Sequence, residues 1–147
     1  MGKPIPLPLL LLACVALVLA GCTATSPEQA LRGQVSALQA AVEGRDAPAI
    51  GDLLADDFVG PGGMDAEAAV RMARLAFLRH REVGATMAGP LRVELREHDA
   101  TVSFEVALTG GSGRLLPDAA RLYSVETGWR LEGGGWRLLS ASWEPRL

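Results

Sequence analysis

The spacing of apolar residues changes twice along the chain. It opens on an unbroken apolar run, Leu9 to Ala20. From Pro27 to about Glu82 apolar residues recur at helical spacing, and after Gly84 they alternate with polar ones. Ser26-Pro27-Glu28-Gln29 reads as a helix start: Ser26 caps, Pro27 fits the first turn, and Gln29 completes a capping box. Leu31, Val35, Leu38 and Val42 then form one stripe, and Gly44 ends the helix. Asp46 caps a shorter second helix with Ile50, Leu53 and Leu54 inward. Asp56-Asp57-Phe58-Val59 leaves it, and Pro61-Gly62-Gly63 turns the chain.

Asp65 caps a third helix, predicted to run to about Glu82. Asp65 and Glu67 in its first turn, and Arg79, His80 and Arg81 in its last, both suit the helix dipole. Glu67, Arg71, Arg74 and Arg81 mark its solvent face. Ala69, Met72, Ala73 and Ala76 mark the face expected to approach a sheet. In the second half Leu91, Val93 and Leu95 alternate with charged residues, and His98-Asp99 makes a turn. Val102, Phe104, Val106 and Leu108 alternate next, followed by a loose loop from Thr109 to Pro117. A strand from about Ala119 to Leu131, a turn at Gly133-Gly134-Gly135 and a last strand from Trp136 to Trp143 complete the chain. Helices first and hairpins after predict an α+β domain: three N-terminal helices packed on a curved antiparallel sheet, with one short strand and four longer ones.

Composition narrows the function. The 147 residues suit one domain, and a net charge of −3 argues against a nucleic-acid partner. Two Cys and two His do not make the usual zinc site, so neither a metal nor another cofactor is expected. The apolar run of twelve, behind Lys3 and the amino terminus, suits a signal segment rather than a membrane span of ~20 residues. It ends in Leu19-Ala20-Gly21-Cys22, which resembles a bacterial lipobox. That resemblance implies cleavage before Cys22 and its acylation, with membrane lipid as its first partner. The division expected is then a signal peptide at 1–21, a lipidated tether at 22–26 and a domain at 27–147. Cys14 leaves with the signal, so the mature domain has no free thiol. Loss of Lys3 takes the charge from −3 to −4. The location implied is the bacterial cell envelope; Thr23 after the cysteine favours the outer membrane, facing the periplasm, where one exists.

Leu53 to Gly60, LLADDFVG, and Trp129 to Trp143, WRLEGGGWRLLSASW, sit in an order of elements that resembles the nuclear-transport-factor-like superfamily, its SnoaL-like branch above all. The resemblance covers essentially the whole mature domain. It implies a cone with a pocket at the open end, often dimerising through the sheet. Members include isomerases, cyclases and dehydratases as well as non-catalytic binding domains, so the fold alone does not choose. In the isomerases a carboxylate removes a proton and a Tyr with a protonated acid holds the oxyanion. Here the first helix has no Tyr, and Val59-Gly60-Pro61-Gly62-Gly63 offers no carboxylate where the base would stand.

The leading expectation is therefore a membrane-anchored, non-catalytic module that binds a small apolar molecule or a protein. Phe58, Phe104, Tyr123 and Thr127 are its expected pocket lining, with His80 as a polar pocket group. The alternative is an isomerase, dehydratase or cyclase acting on a small amphipathic substrate, which would need His80, Tyr123 or Glu105 inside the cavity. A third reading is a homodimer whose sheet is an interaction surface. Asp56 and Asp57 read as solvated or backbone-bonded acids, and His98 as an exposed turn residue. Trp129 and Trp136 are expected to pair across the hairpin, and Leu115 and Leu116 to form a small exposed apolar patch. Gly110-Gly111-Ser112-Gly113 lacks the ending of a phosphate loop, and no base is apparent for Ser140 or Ser142.

Overall fold

The structure is a computed structural model that describes residue 2 and residues 24–112 and 119–146, the side chain of residue 119 excepted. The signal segment, Cys22 and the Leu115-Leu116 patch lie outside the described residues.

Helix α1 spans Pro27–Glu43 and starts as the sequence predicts. Gln29 N–H donates to Ser26 Oγ at 3.2 Å, and Ser26 N–H donates to Gln29 Oε1 at 3.2 Å. Helix α2 spans Ala47–Leu53 and is capped by Asp46, which accepts from Ala49 N–H at 3.0 Å. Strand β1, Leu54–Val59, follows directly, then a short turn of 3₁₀ helix at Pro61–Gly63. Helix α3 spans Ala66–Arg79, capped by Asp65. It stops three residues short of the expected end, because His80 is already extended at φ −121° and ψ 118°. The chain uses those residues for a strand, β2 at Glu82–Met87. Its alternation of Val83, Ala85 and Met87 is too weakly apolar to stand out in the sequence. Then come β3 at Arg92–Leu95, β4 at Asp99–Gly111, β5 at Ala119–Glu132 and β6 at Gly135–Pro145.

The class is α+β; the described residues form three α-helices and one curved sheet of six strands in the order β1-β6-β5-β4-β2, and β3 pairs with the other half of the same β4 edge. The sheet is mixed, not antiparallel as expected. Strand β1 lies parallel to β6, because a helix separates it from the hairpins and it enters the sheet from the far edge. Long antiparallel ladders join β4 to β5, from Asp99 opposite Arg130 to Gly110 opposite Ala119, and β5 to β6. The β5–β6 turn is carried by Gly133 at φ 55° and Gly134 at φ 81°, a conformation that favours glycine.

Register fixes which side chains look inward. Ala100, Val102, Phe104 and Val106 stand opposite Trp129, Thr127, Val125 and Tyr123, all on one face. Leu31 and Val35 of α1, Leu54 and Phe58 of β1, and Ala69 of α3 join Val102, Trp129, Trp136 and Leu138 in one buried cluster. A second, smaller cluster holds Ala41, Ala47, Ile50 and Phe77, where the helices meet one another. Phe77 is a core residue that the sequence reading missed, and Met72, expected inside, is exposed. The inward stripe of α3 is Ala69, Val70, Ala73 and Phe77, rotated away from Met72 and Ala76. Trp129 and Trp136 are not directly opposite one another: the β5–β6 register sets Trp129 opposite Leu138 and Trp136 opposite Leu131.

Among the described residues one polar side chain is buried, Thr127, and it is fully used. Its hydroxyl donates to the carbonyl of Val102 at 3.0 Å and accepts from Trp129 Nε1–H at 2.8 Å. Thr127→Val keeps the volume and strands the indole N–H and the carbonyl. We expect it to cost about 1–3 kcal/mol, read as a lower urea midpoint at unchanged slope. Thr127→Ser keeps both hydrogen bonds and is expected to lose only about 1 kcal/mol, the worth of one methyl. Equal losses in the two variants would show that the hydroxyl relay carries no stability.

Candidate functional site

The expected pocket residues divide into two groups. Phe58 is 4% exposed and Thr127 2%, and both sit in the main core. Phe104 and Tyr123 are half-buried further along the inner face. Phe104 abuts the main cluster and stands opposite Val125, which in turn faces Trp143 on β6. Tyr123 stands between Val106 on β4 and Pro145 on β6. Tyr123, Val125 and Trp143 continue the inner face but belong to neither buried cluster. The result is an apolar wall across three strands, with one phenol hydroxyl on it. Val125 and Trp143 were missed as wall residues; the cross-strand register, which the sequence does not display, is the signal that finds them.

His80 lies at the same end of the inner face. It caps α3 with its N–H on the carbonyl of Ala76 at 3.1 Å, and its ring lies over Gly110 of β4. A Cβ at position 110 would stand 2.6 Å from His80 Nδ1, so only glycine seats the ring there. His80 is half-buried on the sheet, two residues beyond the Leu108–Arg121 pair. Glu105 points to the other face, where it pairs with Arg146 at 3.5 Å. That removes it from the inner wall.

The edge of the sheet on this side is closed by α1. Gln39 Nε2 donates to the carbonyl of Ala85 at 2.6 Å, and Ala85 N–H donates to Glu43 Oε1 at 3.3 Å. Two side chains one helical turn apart thus take the outward backbone groups of edge strand β2. A further polar tie holds the helices: Arg45, at φ 55°, donates to the carbonyls of Phe77 at 2.9 Å and Arg81 at 2.8 Å, at the C-terminal end of α3.

Asp56 and Asp57 are both exposed, and neither points into the wall. Asp57 makes a bidentate pair with Arg130 of β5, at 2.7 and 3.0 Å, and Arg130 also pairs with Glu132. Hydrogen bonds from Arg130 hold the Asp57 carboxyl below the usual carboxylate range and push the guanidinium higher still. His98 is exposed in the β3–β4 turn. Among the described residues no group of three or more His, Cys, Asp or Glu is placed to hold a metal ion. Among them also, no helix is long and apolar enough to cross a membrane.

This cone of three helices and a mixed sheet is the fold of the nuclear transport factor 2-like proteins. It superposes on a solved structure of a family member from Streptomyces avermitilis, provisionally assigned as a dehydratase, at TM-score 0.68 and 19% identity, over 83% of this chain and 99% of that one. A nuclear transport factor 2-like protein of unknown function from Pseudomonas putida KT2440 superposes at 0.66 and 18%, over 78% and 82%. The protein Bd1075 of Bdellovibrio bacteriovorus superposes at 0.71 and 11% over 80% of this chain, which spans only 41% of that longer one. No family model matches the sequence, and no curated protein matches it either.

The Asp57 pair carries a pH dependence of defined sign. A carboxyl whose folded pKa is lowered adds stability above its unfolded pKa of ~3.9 and loses it as pH falls through the lower folded value. An NMR titration of the Asp57 carboxyl is expected to show a midpoint below the usual aspartate range, returning to that range in Arg130→Ala. Asp57→Asn should lower stability at neutral pH and converge with the parent chain as pH falls through the folded value, which flattens the acid limb. A midpoint in the usual range that Arg130→Ala leaves unmoved would refute the pairing.

Proposed function

We propose that the chain is a lipid-anchored envelope protein whose domain binds a small apolar molecule on the inner face of its sheet. One observation carries the binding role: the wall of Phe104, Val125 and Trp143, half-buried and continuous with the core, with Tyr123 beside it as a single hydroxyl. Apolar walls with one or two placed polar groups are the usual make-up of small-molecule sites. The anchor rests on Cys22, at the end of the apolar run, and on the polar tether that leads to the cap at Ser26. It sets the protein at the outer membrane, on the periplasmic side, in a cell that has one. A second copy would meet the outer face of the sheet. That face is lined by small polar residues such as Thr101, Ser103, Ser124 and Ser142. The non-catalytic reading is supported by where the acids stand: Asp57 and Glu105 are both engaged by arginines away from the wall.

Native mass spectrometry of the chain, purified from the envelope of its own cell, tests the reading. A retained mass, released on denaturation and absent in Val125→Arg, is expected. Val125→Arg puts a long cation into the middle of the wall and should abolish retention while the unfolding free energy falls by no more than about 1–3 kcal/mol. A retained compound that is converted on incubation, with conversion lost in Tyr123→Phe or His80→Ala, would replace binding by the isomerase or dehydratase reading. The mass of the N-terminal peptide reports the anchor independently.

A further inference from the structure

Helix α3 is apolar on two faces. Ala69, Ala73 and Phe77 face the core, as a helix packed on a domain requires. Met72, Leu75 and Leu78 lie on the opposite side, since steps of three residues at 100° each keep them on one sector of the cylinder. They are 42, 56 and 81% exposed, and they are three of the five large exposed apolar residues among those described. Arg71, Arg74 and Arg79 flank them, and Arg81 follows the helix. Arg71 is paired with Glu67 one turn earlier, whereas Arg74 and Arg79 have no carboxylate partner among the described residues. From Ala66 to Arg81 four arginines stand against one glutamate, in a chain whose net charge is −3. Asp65 and Glu82 flank this stretch, so the arginines that stand around Met72, Leu75 and Leu78 form a local basic surface on an otherwise acidic chain.

A notch adjoins this face. It measures about 300 Å³ and is lined by Arg45, Ala47, Pro48, Arg74, Phe77 and Leu78. Its lining is mostly apolar with two arginines; Arg45 donates there to the carbonyls of Phe77 and Arg81, and Arg74 has no carboxylate partner among the described residues. That is the chemistry of a phospholipid headgroup region: an anionic phosphate above, acyl carbon below.

We infer that the exposed face of α3, with this notch, docks on an anionic phospholipid surface. The inference rests on the anchor at Cys22, which supplies the geometry. Pro27, the first residue of α1, lies five residue steps beyond Cys22, so the tether reaches at most ~17 Å. A domain of this length has a radius of gyration of about 14 Å. The tether therefore keeps the start of α1 within ~17 Å of the bilayer, a span comparable to the domain's own radius. The start of α1 is fixed to β6 by the Trp136 indole N–H on the carbonyl of Pro27 at 3.1 Å, and the turn before α3 also lies against β6. The tether and the N-terminal end of α3 thus leave the domain from the same strand.

Leu78→Cys, labelled with a bimane on the lipidated chain reconstituted in vesicles, tests this. With phosphatidylglycerol in the vesicle, the label is expected to shift to the blue and to be quenched by doxyl-labelled lipid. With phosphatidylcholine alone it should stay in water, and high salt should reverse the quenching. Flotation of the same chain made without its anchor should weaken about fivefold for Arg74→Ala and again for Arg79→Ala. Because these side chains are exposed, an unchanged urea midpoint would show that the fold is intact. A label that stays in water on anionic vesicles overturns the proposal. A blue shift that follows protein concentration without lipid quenching also overturns it, in favour of a second copy. If the anchor reading fails, Cys22 takes the label too and its peptide shows it. Quenching at position 78 then still decides the docking face.

Discussion

Val102 stands opposite Thr127 in the long ladder of β4 and β5, and the Thr127 hydroxyl donates across that pair to the Val102 carbonyl. The same oxygen accepts the indole N–H of Trp129. A slip of one residue would turn every side chain of β5 to the other face, exposing Trp129 and burying Glu126 and Arg130. The pairing therefore fixes more than a local contact. It sets Val125 and Tyr123 on the inner face, hence the composition of the wall. It also presents Arg130 to Asp57, which ties the outlying parallel strand β1 to the hairpins. Stability and site share this one constraint, with the buried polar relay at its centre.

The sheet depends next on how its edges end. On one side β1 lies along β6; on the other, Gln39 and Glu43 take the backbone groups of Ala85. Both solutions use segments that precede the hairpins in the chain. Helix α1 thus has two tasks at its two ends: Leu31 and Val35 fill the core, and Gln39 and Glu43 close an edge. Below it, Arg45 in a left-handed conformation reaches the last carbonyls of α3, so the three helices are joined by a polar clamp as well as by Ala41, Ile50 and Phe77.

Local signals carried much of this fold. The capping box at Ser26, the caps at Asp46 and Asp65, and the glycines of the β5–β6 turn act within four residues, and each was legible in the sequence. Strand β2 was not, because Val83-Gly84-Ala85 has little apolar contrast and its place is decided by β4 and α1. The direction of β1 depends on which edge it joins, a property of the whole sheet. The inward face of α3 was misplaced by Met72 and Ala76, whose hydrophobicity suggests burial that the helix rotation does not give them. Among site residues Phe104 and Tyr123 could be proposed from alternation in a strand. Val125 and Trp143 needed the pairing itself, and His80 needed the bare backbone of Gly110, whose place beneath the ring is a tertiary fact.

The inner wall and the outer face of α3 use the same residue types for opposite ends. Along β4 and β5 apolar residues alternate with polar ones, so apolar character beyond the core accumulates on the face already turned inward. On α3 the alanines at 69 and 73 are small enough to bring the helix close to its neighbours, and the large side chains at 72, 75 and 78 are left outside. Val70 and Phe77 fill the core side of α3 beside those alanines, without the side chains at 72, 75 and 78. An exposed leucine among arginines costs a soluble domain its resistance to aggregation, while an arginine beside a leucine retains its charge and covers part of the apolar surface with its own stem. The pattern fits a boundary that is apolar on one side and anionic on the other, which is where the anchor proposed at Cys22 would hold the domain.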